Sequence, residues 1–169
     1  MLGITIRPES PADATAIEAV TVAAFANALH AAHTEQFIVA ALRRADALAI
    51  SLVAELGGEV VGHVAVSPVS LSDGSAGWFG LGPISVLPEH QGRGIGSRLM
   101  REALQRLRDS GARGCVLVGD PGFYQRFRFR SHTTLAYPDV PAEVFLVLAF
   151  GPSVPDAVVA FHPAFGAKA

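Results

Sequence analysis

The chain opens with Ile4-Thr5-Ile6-Arg7, apolar and polar in alternation, the two-residue period of a half-buried strand. Ser10, Pro11 and Asp13 follow. A capping side chain, a residue suited to the first turn and an acid at the dipole's positive end predict a helix over 11–27. A second helix is predicted over 34–45, with Phe37, Ile38, Ala41, Leu42 and Ala45 on one side. Two β-rich runs, 48–56 and 59–67, flank Gly57-Gly58 and read as a hairpin with a primed turn. Residues 67–77 read as a loop and 78–86 as a long strand. Gly80, Gly82 and Pro83 interrupt that strand, and a proline removes a ladder donor, so a bulge or an edge is expected there. Over 94–110 the apolar positions Ile95, Leu99, Ala103, Leu104 and Leu107 share a helix face, which Gly111 ends. A buried strand over 114–119 leads to a short helix opened by Asp120-Pro121 and running to Phe127. Strands over 132–138, 143–150 and 157–161 close the chain. The order predicts one α/β (α+β) domain over 1–169, a mixed sheet with helices on its faces.

Composition changes this picture little. Half of the 169 residues are hydrophobic and 17% are charged, which suits one globular core. The alanine-rich segment 16–32 comes nearest to a membrane span, but Glu18, Asn27 and His30 interrupt it. The first ten residues carry no apolar signal core behind a basic start, so a cytoplasmic protein without a membrane partner is expected. The single cysteine, Cys115, excludes an internal disulfide and a cysteine metal cluster. The net charge of -2 gives no global signal for nucleic acid. Nine of the thirteen basic residues nevertheless fall between Arg93 and Arg130, opposed only by Glu102, Asp109 and Asp120. They read either as a solvated helix face or as a local anion site.

The chemistry concentrates at "PEHQGRGIGS", residues 88–97. A strand, a glycine-rich turn and a helix start aim several free N–H groups at one point, where the dipole adds positive charge. A P-loop needs a lysine after its second glycine, and the only lysine is Lys168. A dinucleotide fingerprint from Gly92 would need a third glycine where Ser97 stands, and one from Gly94 would need it at Leu99. The pattern that remains is Gln91-Gly92-Arg93-Gly94-Ile95-Gly96, after a strand ending in "VLPE" and some thirty residues before "YQRFRF" (124–129).

This combination resembles the GNAT superfamily of N-acetyltransferases, and the likeness extends from "IRPESPADATAI" to "VVAFHPAF". It implies a mostly antiparallel central sheet that splays at the cofactor site, with helices on both faces. It implies acetyl-CoA as cosubstrate, no metal, direct transfer to a primary amine in a ternary complex, and it allows a homodimer. The pantetheine arm would pair with Ile84, Ser85 and Val86. The diphosphate would lie on the N–H groups of Gln91, Gly92, Arg93, Gly94, Ile95, Gly96 and Ser97. The Val86 N–H would serve the oxyanion, and Tyr124 would protonate the leaving thiolate. A non-catalytic acyl-CoA-binding or sensor module of the same fold is the alternative.

Two positions depart from the family pattern. Arg128 stands where a glycine is usual; a left-handed backbone there would cost an arginine about 1 kcal/mol. The strand 78–86 has no glutamate to act as base, which leaves His63, Asp73, Glu35, Asp120 or a water chain. His63 reads more readily as a structural histidine, Asp120 as a helix cap, and Cys115 as a buried core residue. The acceptor amine is not legible.

Overall fold

The computed structural model describes residues 3–28 and 31–169. The opening dipeptide and positions 29–30 of the alanine-rich segment lie outside it. In chain order the elements are β1 (Ile4–Pro8), α1 (Ala14–Phe25), α2 (Glu35–Arg44), β2 (Ile50–Leu56), β3 (Glu59–Pro68), β4 (Ser70–Leu71) and β5 (Trp78–Val86). Then follow α3 (Ile95–Asp109), β6 (Gly114–Val118), α4 (Pro121–Tyr124), β7 (Leu135–Ala136), β8 (Phe145–Ala149) and β9 (Ala157–Ala160).

Six strands form the main sheet in the order β1-β2-β3-β5-β6-β8, antiparallel except for β5–β6. The β2–β3 hairpin turns at Gly57 and Gly58, both at positive φ (58° and 83°), as a primed two-residue turn requires. One sheet face carries Leu52, Ala54, Val64 and Val66 against Leu99, Met100, Ala103 and Leu107 of α3. The opposite face is covered at one end by α1 and α2, where Ile17 and Val39 meet Val53. At the other end a small sheet, β4-β9-β7, packs Leu71, Leu135 and Val159 on Trp78 and Val116. Leucine, valine and isoleucine at alternating strand positions are thus buried on both faces, the arrangement of a sheet with a cover on each side.

The glycine–proline interruption in β5 does form a bulge. Val64 pairs with Ile84 and Val66 with Leu81, so three steps of β5 answer two of β3. The strand is not at an edge, because β3 and β6 lie on either side of it. Three expectations need correction. The strand expected over 132–138 shrinks to Leu135–Ala136, the part of the segment that pairs with β9. The expected loop 67–77 contains β4, whose Leu71 is buried under the same strand. The helix expected from residue 11 begins as one tight turn, Pro11–Asp13, before α1. There the Asp13 carboxylate accepts the Ser10 backbone N–H at 2.7 Å and its hydroxyl at 3.1 Å, so Asp13 braces the turn and Ser10 donates.

Candidate active site

The site begins where two strands part. β5 and β6 pair only at Trp78–Gly114, Phe79–Cys115 and Gly80–Val116. Beyond them β5 continues to Val86 and β6 to Val118 with a gap between. The Leu87 N–H points to β3, where the Val61 carbonyl accepts it at 2.9 Å. Alternation then turns the backbone groups of Ile84 and Val86 the other way, into the gap. The two side chains join the core on the α3 face. Ser85 alternates with them: its backbone faces β3 opposite His63, and its side chain is buried under the α1 side. The pairing edge expected of Ile84–Ser85–Val86 is therefore offered by Ile84 and Val86, not by Ser85.

Gly92 and Gly94 hold left-handed φ of 76° and 84°, which the abrupt passage from strand to helix requires. Gly94 caps α3, and the first N–H to be taken inside the helix is that of Arg98, by the Gly94 carbonyl at 3.1 Å. Among the described residues the N–H groups of residues 92–97 have no protein acceptor, the usual state of a helix start. Gln91 behaves otherwise: its N–H goes to the Pro88 carbonyl at 3.3 Å, and its side-chain amide donates to the Val86 carbonyl at 2.9 Å. It ties the loop to the strand rather than adding a donor to the cradle. A Cβ on Gly96 would come no nearer than 3.9 Å to Val86, so this third glycine answers no internal crowding.

Tyr124 lies on the β6 side of the gap. Asp120 caps α4 by accepting the Gly122 N–H at 2.9 Å, and the helix presents Tyr124 against the α3-face core. Phe123 and Phe129 flank its ring with centroids 4.9 and 6.2 Å away. Burial, aided by the Asp120 charge, pushes the phenol above its ordinary value, so it is protonated at neutral pH. Arg128 adopts the left-handed backbone itself (φ 72°), its N–H bonded to the Gln125 carbonyl at 2.9 Å. The strain is accepted and the turn is kept.

The four candidate bases separate cleanly. Asp73 turns back on Ser75, accepting its N–H at 2.9 Å and its hydroxyl at 2.8 Å. Asp120 is the cap just described. His63 has no exposed surface. Its Nε2 lies 2.8 Å from the Ser51 hydroxyl, which itself donates to Glu9, while Arg43 closes on Glu9 at 2.9 and 3.0 Å. Because Ser51 spends its proton on Glu9, the network assigns the His63 hydrogen to Nε2. Burial lowers the His63 pKa to about 4, with Glu9 opposing and Arg43 assisting. It is a neutral core residue. No spacing in the sequence marked this Glu9–Arg43–Ser51–His63 cluster, whose members come from four separate segments.

Glu35 alone reaches the gap. It lines a cavity of about 270 Å³ that also touches Leu81, Gly82 and Pro83 of β5 and Val118 of β6. The cavity opens where these strands part, on the face covered by α1 and α2. One Glu35 oxygen accepts the Ala32 N–H at 3.1 Å, and the other is buried with no partner among the described residues.

The arginine run resolves mostly into cover for the core. Arg101, Arg108 and Arg126 lie 4.6–5.4 Å from the rings of Phe127, Phe150 and Phe123. Arg98 reaches the Ile4 carbonyl at 3.0 Å and Arg106 pairs with Glu102 at 3.0 Å. Arg93 is exposed in the loop. Cys115 is fully buried, which raises its thiol pKa and removes it as a nucleophile.

Comparison with known proteins points one way. The sequence model of the Acetyltransferase (GNAT) family matches residues 11–129. The uncharacterised N-acetyltransferase YhbS of Escherichia coli is 35% identical over 125 residues, 73% of this chain and 72% of that protein. A GNAT family acetyltransferase from Brucella melitensis, solved with acetyl-CoA, superposes with a TM-score of 0.87 at 49% identity over 98% of this chain and 99% of that one. The structure of YhbS with CoA gives 0.85 at 30% identity over 98% and 93%. The matched span runs from the first helical turn through the parted strands and the glycine loop to Phe129, and the chain belongs to the GNAT family of acetyltransferases.

Proposed function

We propose that this chain moves the acetyl group of acetyl-CoA to a primary amine by direct attack while both are bound. The observation that carries the reading is the gap between β5 and β6. At one end it meets the glycine loop with its unpaired N–H groups, and on the helix-covered face it meets a cavity holding one carboxylate. The relatives solved with acetyl-CoA and CoA support the same choice of cosubstrate.

The residues fit such a ligand. The N–H groups of residues 92–97 and the dipole of α3 suit a diphosphate, and the outward amides of Ile84 and Val86 suit the amides of a pantetheine arm. Acetyl-CoA supplies an activated acyl thioester. The amine sheds a proton to water, since an alkylammonium with a pKa near ~10 cannot attack. Its nitrogen then bonds to the thioester carbon. The Val86 N–H, directed into the gap, donates to the oxygen as charge develops there. The carbon–sulfur bond breaks, the second nitrogen proton passes to water, Tyr124 gives its proton to the thiolate, and water returns a proton to the phenolate. Tyr124 suits this role because burial keeps its phenol protonated.

The test is release of CoA thiol from acetyl-CoA over a panel of primary amines, beside direct measurement of acetyl-CoA binding. Amine-dependent release is expected. Tight binding with no amine raising release above hydrolysis would replace this reading by that of a binding module.

A further inference from the structure

The reading above leaves the amine open, and the cavity beside the gap narrows it. We propose that the acceptor is a small primary amine on a short stem with an apolar, aromatic-sized body, held at its nitrogen by Glu35 and along its body by the Tyr137, Phe161 and Phe165 rings. This rests on the transfer reading and specifies its second substrate.

Position comes first. The cavity touches Leu81, Gly82 and Pro83 on one parted strand and Val118 on the other, so its occupant faces the point where the strands open. Chemistry comes next. Among the described residues Glu35 is the only carboxylate in its lining, and no lysine, arginine or histidine joins it. A buried carboxylate oxygen without a partner is uncommon and costs stability unless something satisfies it. A substrate ammonium would do so by a charge-assisted bond. The ammonium anchors the bound ground state, and its proton leaves through the cavity mouth before attack.

The remaining wall fixes the body. Tyr137, Phe161 and Phe165 form a chain of rings with centroids 5.0 and 5.2 Å apart, the spacing of edge and tilted aromatic contacts. Ile38 and Val140 complete it with aliphatic surface. A polyamine would bring a second cation to a wall with no second anion, and burying that charge unpaired is costly. A lysine in a peptide would carry neighbouring amide groups to a rim with few polar partners. The volume, about 270 Å³, is below the ~300–1,000 Å³ typical of drug-sized ligands and suits a single ring.

The experiment compares 2-phenylethylamine, spermidine and a lysine-containing peptide as acceptors for the full chain and for Glu35→Gln, Phe161→Ala and Phe161→Leu. Tm shifts by each amine without acetyl-CoA are read alongside. For the full chain, 2-phenylethylamine should give the highest kcat/KM and raise Tm. Glu35→Gln should raise its KM about 10- to 100-fold, the loss of one bond to a charged group, and abolish the Tm shift. Its kcat should stay within about threefold, because the lost contact belongs to ground-state binding. Acetyl-CoA affinity should not move. Phe161→Ala should erase the preference for the aromatic amine, and Phe161→Leu should restore part of it, which separates lost contact from lost folding. Faster turnover of spermidine or the peptide, or an unchanged KM in Glu35→Gln, would overturn the proposal and leave the transfer reading standing. No turnover of any amine with acetyl-CoA bound would overturn the transfer reading as well.

Discussion

The ring of Tyr124 occupies the space that a side chain on Gly119 would fill: a Cβ there would sit inside the contact radius of two ring carbons. Gly119 follows β6 on one side of the gap, so a residue with no side chain sets how far the phenol reaches toward it. The close approach is not a turn requirement, because Gly119 is not among the residues at positive φ.

Gly119→Ala should therefore displace Tyr124 and lower kcat about 10²-fold with little change in acetyl-CoA affinity, since a misplaced catalytic group costs about that much. Tyr124→Phe should lower kcat by about 10²–10⁴ and leave the Kd for acetyl-CoA within error. Steady-state kinetics beside equilibrium binding check both; an equal loss in turnover and affinity would contradict the acid role. The raised pKa of Tyr124 fixes the profile too. The acid keeps its proton through the neutral range, so kcat/KM should climb with pH as the amine deprotonates and show no falling limb there.

Two of the loop glycines, Gly94 and Gly96, should respond differently. Gly94→Ala forces a side chain into φ 84° and should cost about 1–2 kcal/mol of stability, read as a lower Tm without ligand. Gly96 has ordinary backbone, and outside its own stretch of helix nothing among the described residues comes nearer than 3.9 Å to its imagined Cβ. Gly96→Val should cost less than about 1 kcal/mol, yet place its branches over the bare N–H groups and weaken acetyl-CoA binding. A Gly96→Val protein that binds acetyl-CoA normally would place the diphosphate elsewhere.

The loop was legible because its chemistry is local: backbone donors, glycines and a helix start occupy ten consecutive residues. The bulge in β5 was legible for the same reason, since Gly82-Pro83 cannot continue a regular ladder. The cavity beside Glu35 was not, because its wall is assembled from α1, α2, β5, Tyr137 and the C-terminal Phe161 and Phe165, which only the folded sheet brings together. Glu35 stood in the sequence among four candidates, two of them already read more readily as structural, and burial and partners separated them. The short strand β4 escaped notice because it holds only two residues, too few to show a period, and β7 was expected over the longer run 132–138.

Arg128 supplies a stability prediction of opposite sign to most. Its left-handed backbone at φ 72° costs an L side chain roughly 1–2 kcal/mol that glycine does not pay. Glycine loses more entropy on folding, about 0.5–1 kcal/mol, which offsets part of the gain. Arg128→Gly should raise stability by up to about 1 kcal/mol in urea unfolding with m unchanged. The exposed guanidinium makes no ion pair or side-chain hydrogen bond among the described residues whose loss would cancel this.

His63 makes stability depend on pH below neutrality. Its folded pKa lies near 4 and its ordinary value is 6.5, so between these the unfolded chain binds a proton that the folded chain refuses. Unfolding then takes up protons, and stability rises with pH across that window. The contribution is complete above 6.5 and lost as pH falls toward 4. At 1.36 kcal/mol per unit this is about 3 kcal/mol. Glu9 works in the same direction: burial would raise its pKa, but the bonds from Arg43 and Ser51 outweigh it and hold the carboxyl below its usual range. Chemical denaturation at steps from about pH 7 down to about pH 4.5 should show this loss. His63→Gln keeps a hydrogen-bonding group near Ser51 but cannot titrate, so it should be less stable at neutral pH and flatten the slope. If the variant lost stability with the full slope of the unmodified chain, the acid sensitivity would belong to the carboxylates and not to His63.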